Sequence, residues 1–226
     1  MISSFNELHQ MVKDSQPKRV ALVAAEDPVL IEAAKRAQEE GLARFILFGN
    51  SRKIESLNPP DASSFEIVDS QNPAIDAINY IHADKADLLM KGKIQTGDLL
   101  RAILNRDTGL RQGELLNHIA VIESPHYHKL LFISDGGINL HLDENVYQQM
   151  VVNITQYLKL LGIESPHFGM MTLVETVSKK IPETIIAQKV VKVLSKKVSI
   201  EGPIAPDVAL SREAATKKGL ESEIAG

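Results

Sequence analysis

Cysteine and tryptophan are both absent from the 226 residues, and aromatic residues make up only 4%. Without cysteine there are no disulfides, no cysteine-ligated zinc, no iron–sulfur cluster and no thiolate nucleophile. Acyl chemistry, if the chain performs any, runs without a cysteine acyl-enzyme. No apolar run approaches the roughly 18 residues of a membrane span. The N-terminus, MISSFNELHQMVKDS, lacks the basic stretch and apolar core of a secretion signal. Charge of one sign is missing too: 25 Lys+Arg stand against 29 Asp+Glu. A nucleic-acid binder would carry a basic excess. These absences point to a cytoplasmic protein that works without nucleic acid or membrane.

Hydrophobic residues at 44% and charged residues at 24% suit a globular chain with a sizeable core. The apolar pattern alternates between two periods. Residues 19–25, 45–48, 65–68, 88–90, 118–122, 130–133 and 168–173 read as short strands, the first as one buried on both faces. Helical spacing falls at 73–83, 97–105, 143–161, 182–195 and 211–218. Asp27 and Pro28 form an N-cap signal, and Gly41 closes the helix they open. This alternation predicts an α/β fold with mainly parallel sheets. Pro59-Pro60-Asp61 and Glu123–His128 are the clearest breaks. The second divides the chain into an α/β domain at 1–125 and another at 126–226.

Ligands of open α/β sheets bind at the carboxyl ends of strands, so loops directly after strands are the places to look. Three stand out. In Lys91-Gly92-Lys93-Ile94-Gln95-Thr96-Gly97-Asp98, glycine permits close backbone approach, while lysine and a helix N-terminus meet an anion. Arg101 follows one helical turn after Gly97, and Arg111 lies further on. An ordinary capped surface helix explains this segment equally well. In Ser134-Asp135-Gly136-Gly137-Ile138-Asn139, a carboxylate and backbone donors close a strand, or else form a plain turn. In Glu201-Gly202-Pro203-Ile204-Ala205-Pro206-Asp207, glycine and prolines suggest a rigid loop, with Asp207 starting a helix. Glu175 follows another strand end. The motifs GxGxxG, GxxxxGK[ST], HExxH and GxSxG are all missing. His126 and His128 have no third ligand nearby, and no metal is expected.

The ordered segments LLMKGKIQTGDLLRAILNRDTGLR, FISDGGIN, TLVETVSKKIPET and IEGPIAPDVALSREAATKKGLESEIAG resemble the phosphate acyltransferases, the butyryl branch more than the acetyl branch. The resemblance implies two α/β domains in the architecture of isocitrate and isopropylmalate dehydrogenases. It implies reversible transfer of a short acyl group, butyryl or branched, between CoA and inorganic phosphate. CoA is then a substrate, with no tightly bound cofactor, and the chain assembles as a homodimer or larger homo-oligomer. Family chains continue past the SEIAG-like segment into a returning strand and a stretch with a Ser-Arg pair, which these 226 residues do not contain.

Under this reading Lys91, Thr96, Arg101 and Arg111 bind phosphate or CoA phosphates. The loops at Gly92 and at Gly136-Gly137, Asn139 supply donors. Glu175, Gly202 and Pro203 complete the binding set. Asp135 or Asp207 acts as base or positions phosphate, and attack is direct within a ternary complex. Alternatives are a phosphate acetyltransferase, a truncated non-catalytic acyl-CoA-binding homologue, and a decarboxylating dehydrogenase of the same architecture. The last needs a metal-binding carboxylate cluster that the sequence does not display.

Overall fold

A computed structural model describes residues 2–57, 65–113 and 115–226. The break expected at Pro59-Pro60-Asp61 lies outside them. The chain divides into two compact units, Asn6–Gln112 and Gly113–Gly226, the latter with the first few residues.

The first unit runs α1 (Phe5–Lys13), β1 (Lys18–Val23), α2 (Pro28–Glu39), β2 (Ala43–Gly49), α3 (Ser51–Leu57), β3 (Glu66–Asp69), α4 (Pro73–His82), β4 (Leu88–Lys91) and α5 (Thr96–Ile103). Its four strands form one parallel sheet in the order β3-β2-β1-β4. Ala21, Leu22 and Val23 are fully buried because β1 is central and helices cover both faces. Period-2 alternation sorts the side chains. Val20, Leu22, Phe45 and Leu47 pack on Ile31 and Ala34 of α2 and Ile54 of α3. Ala21, Val23, Ile46 and Phe48 pack on Ala74 and Ala77 of α4 and Leu99 of α5. Asp27 caps α2 as expected, its Oδ1 accepting from the amides of Val29 at 2.9 Å and Leu30 at 3.2 Å.

The second unit holds two strand pairs. β5 (Ala120–Ile122) and β6 (Leu131–Ile133) are antiparallel. β7 (His167–Met171) and β8 (Ser199–Ile204) are parallel and linked through α7 (Pro182–Leu194). α6 (Glu144–Leu160) precedes them, and α8 (Pro206–Leu210) and α9 (Arg212–Lys217) follow. Val151, Met170, Ala187, Val190, Leu194 and Ile200 form the central core.

Three expectations need revision. The division between units falls at Gln112–Gly113, ahead of Pro125. Glu123–His128 is the connection inside the β5–β6 hairpin, so cutting there would separate paired strands. Gly202 and Pro203 belong to strand β8 instead of a loop. The β7–β8 register slips between Gly169 and Met171, and such an irregularity accommodates a proline with no N–H to pair. Gly202 has φ of +152°, and a Cβ there would fall 2.5 Å from Met170 Cβ. Finally, Ala205 stands at the N-cap of α8, and Asp207 lies inside its first turn.

Candidate active site

In the first unit the chain steps from β1 to β2 and β3 on one side, then returns to place β4 on the other. The strand order therefore reverses between β1 and β4, and a crevice opens at their carboxyl ends, where ligands of such sheets bind. The Lys91–Thr96 loop lies there. The Gly92 amide donates to Val23 O at 2.8 Å and the Lys93 amide to Ala24 O at 2.7 Å. A Cβ on Gly92 would stand 2.3 Å from Val23 O and 2.4 Å from Ala24 O, so only glycine lets the two loops meet. Ala24 itself has φ of +57°, a conformation that costs a non-glycine residue about 1 kcal/mol or more and clusters at functional sites.

Lys91 Nζ points back to Gly92 O at a long 3.5 Å, leaving its ammonium uncommitted to any carboxylate. Lys93 shares a cleft of about 510 Å³ with Lys53, Glu26 and Ser56. Thr96 is the first residue of α5, and Gln95 at the N-cap makes no side-chain cap. The first amides of α5 are thus available to an anion. Arg101 donates to Asp98 Oδ1 at 2.8 Å, yet its side chain remains 78% exposed. It lines a cleft of about 420 Å³ between α4 and α5, together with Asp98, Ile78 and Ile94. Arg111 is exposed beyond α5.

In the second unit Asp135 has a different job from the one its position suggests. Its Oδ2 accepts from Asn139 N at 2.8 Å and Asn139 Nδ2 at 2.7 Å, and its Oδ1 from His118 N at 3.0 Å. Partial burial pushes its pKa up, but these hydrogen bonds outweigh it and hold the carboxyl below its ordinary value. A carboxylate so committed is a poor proton acceptor. It fixes Asn139 and the backbone at His118, and Asn139 Nδ2 also reaches Leu116 O at 2.9 Å. Gly136 is pressed on the His118 ring: a Cβ there would lie 2.5 Å from Nδ1. Gly137, at φ +106°, completes the turn.

Glu175 and Asp207 are brought together by Lys218, which the sequence reading missed. Lys218 Nζ donates to Glu175 Oε1 at 2.6 Å and to Asp207 Oδ1 at 3.1 Å. Hydrogen bonding to this ammonium lowers both carboxyl pKa values and raises that of Lys218. Glu201, beside Gly202, accepts from Ser222 Oγ at 2.6 Å and from the Glu223 amide at 2.7 Å, tying β8 to the final segment. Among the described residues, no three His, Asp or Glu side chains gather as a metal site. No described helix is long and apolar enough to cross a membrane.

The profile of the phosphate acetyl/butaryl transferase family matches residues 66–226. A phosphate butyryltransferase of Clostridium acetobutylicum is 36% identical over all of this chain and 78% of its own length. The chain belongs to the phosphate acetyl/butaryl transferase family. A phosphate acetyltransferase of Thermotoga maritima is 33% identical over 92% of this chain and 74% of its own. In solved structures the fold recurs in a branched-chain phosphotransacylase from Enterococcus faecalis V583. That match has a TM-score of 0.82 at 24% identity, covering 92% of this chain and 75% of the other. The family members named here are enzymes, and the mainly parallel α/β architecture is common ground with that structure.

Proposed function

We propose that the chain transfers a short-chain acyl group, butyryl or branched, between CoA and inorganic phosphate. Family membership across the whole chain carries the reaction class. The β1–β4 switch point, with its lysine–glycine–lysine loop, supports the place where anions bind. Both substrates are negatively charged, so a cationic, backbone-lined crevice is the first requirement. Lys91, Gly92 and the first turn of α5 at Thr96 hold phosphate oxygens. Arg101 and Arg111 meet CoA phosphates.

A phosphate oxygen attacks the thioester carbonyl, forming the C–O bond as the C–S bond breaks. The electron pair leaves on sulfur, and the proton lost by phosphate ends on the CoA thiol, so atoms and charge balance. Negative charge grows on the carbonyl oxygen, where preorganised backbone donors contribute most. With no cysteine in the chain, direct attack in a ternary complex is the simplest route. Asp135, Glu175 and Asp207 are all held in the ionised state by their partners, and their role in this scheme is positioning. Asn139 and the loops at Gly136, Gly137, Gly202 and Pro203 complete the proposal for the second unit. CoA is a substrate and no resident cofactor is invoked. A cytoplasmic homo-oligomer is part of the same reading.

Thiol release from butyryl-CoA, followed with a thiol-reactive dye, tests it. The protein contributes no signal because it has no cysteine. Release that requires phosphate supports the proposal, and release at the same rate without phosphate overturns it.

A further inference from the structure

Leu173 is 84% exposed, a poor place for a leucine unless something apolar covers it. It is also held still. Just before it, the Thr172 amide donates to Ile204 O at 2.9 Å, carrying the β7–β8 ladder one residue beyond β7. The Thr172 hydroxyl then donates to Val174 O at 2.6 Å, bridging across Leu173 and locking the turn. Two residues on, Glu175 is anchored to Lys218 at 2.6 Å. Pinned on both sides, the backbone displays this side chain at the carboxyl end of a parallel strand pair, the edge where such folds take their ligands.

Alternation along β7 places Met171, itself 50% exposed, on the same face two residues earlier. Gly169 precedes it on that face, and the Met171 sulfur lies 3.5 Å from where a Gly169 Cβ would be. The result is a short apolar strip, Met171 and Leu173, with the ionised Glu175–Lys218–Asp207 cluster beside it. Its width suits an aliphatic chain of a few carbons, and methionine adapts to chains of different length.

We infer that Leu173, with Met171, is the apolar wall against which the acyl chain of the substrate packs, and so sets chain-length preference. This rests on the phosphate acyltransferase reading. Butyryl exceeds acetyl by two methylenes, and partial burial of both against one wall gives a several-fold preference.

The test is calorimetric binding of acetyl-CoA and butyryl-CoA to the full chain and to Leu173→Ala, with Leu160→Ala as control. Leu160 is 76% exposed on α6 and has no assigned role. Because Leu173 is exposed, its truncation leaves the fold intact. The expected result is a three- to tenfold fall in the butyryl-to-acetyl affinity ratio for Leu173→Ala and none for Leu160→Ala. An unchanged ratio overturns the inference and leaves the functional reading standing. An unchanged ratio with an altered oligomeric state assigns Leu173 to contact with a second copy, and also overturns it. Failure of the unaltered chain to bind any acyl-CoA removes the functional reading and this inference together.

Discussion

The two units reach order by different means. In Asn6–Gln112 a four-stranded parallel sheet buries apolar side chains on both faces, and its central strand has no accessible surface from Ala21 to Val23. In Gly113–Gly226 the sheets are two-stranded, too narrow to stand on apolar burial alone. Side-chain hydrogen bonds stitch that unit together instead. Asn153 of α6 donates to Leu115 O at 3.1 Å and Asn117 Oδ1 at 2.7 Å, and Asn117 donates to Ser134 Oγ at 2.9 Å. Asp135, Glu201 and Lys218 each join segments distant in sequence. A wide sheet leaves its strand-end loops free for ligands, whereas narrow sheets commit polar groups to holding themselves in shape.

The largest test of this contrast is a core truncation. Phe48 is fully buried in the first unit, and Phe48→Ala should cost about 3–5 kcal/mol, read by denaturant unfolding. Leu194→Ala in the second unit, at a site 6% exposed, should fall near the lower end of the range for leucine, about 2–3 kcal/mol. Equal losses would remove the distinction.

Arg101→Ala comes next. A charge-assisted contact to a charged ligand is worth roughly 1.5–3 kcal/mol, so CoA affinity should fall about ten- to a hundredfold. The melting temperature should stay put, since the side chain is largely exposed. Unchanged affinity would move the CoA phosphates away from the α4–α5 cleft.

Asp135→Asn should cost about 1–2 kcal/mol at neutral pH, because the amide cannot accept all the bonds the carboxylate does. The folded-state pKa is depressed, so the stabilisation is present above the unfolded carboxyl value and lost as pH falls through the folded one. The variant should therefore lose less stability than its parent on acidification, as shown by unfolding curves across the acid range. A parallel acid response would show that Asp135 is not stabilised by these bonds.

Lys218→Met should produce the smallest change in stability, the pair being at the surface. Its signature is in titration: carbon-detected NMR should show the Glu175 and Asp207 carboxyl groups returning toward their ordinary values, upward. If neither moves, Lys218 does not couple them.

Much of the first unit was legible because its signals are local. A continuous apolar run around Ala21–Val23, the Asp27-Pro28 cap and the Lys91-Gly92-Lys93 turn each declare themselves within a few residues. α3 was not legible, since only Ile54 of its seven residues is buried and one position sets no period. The second unit hid more, for a physical reason. Gly202-Pro203 has loop composition, and only the slipped register with β7 makes it a strand. Lys218 is one of two adjacent lysines, and its distinction from Lys217 is tertiary: it meets Glu175 and Asp207, while Lys217 pairs within α9 with Glu213. Asp135 was visible as a strand-end carboxylate, but its bonds to Asn139 and His118 turn a candidate base into a fixed support.

The account rests on transfer of an acyl group to phosphate, with anions gathered at the β1–β4 crevice of the first unit. Initial rates of thiol release from butyryl-CoA, measured over a range of phosphate concentrations for the chain and for Lys91→Ala, test this most directly. The account predicts release that saturates with phosphate, and a raised phosphate requirement in the variant with its fold unchanged. Release indifferent to phosphate, or a Lys91→Ala variant with the same phosphate dependence as its parent, would contradict it.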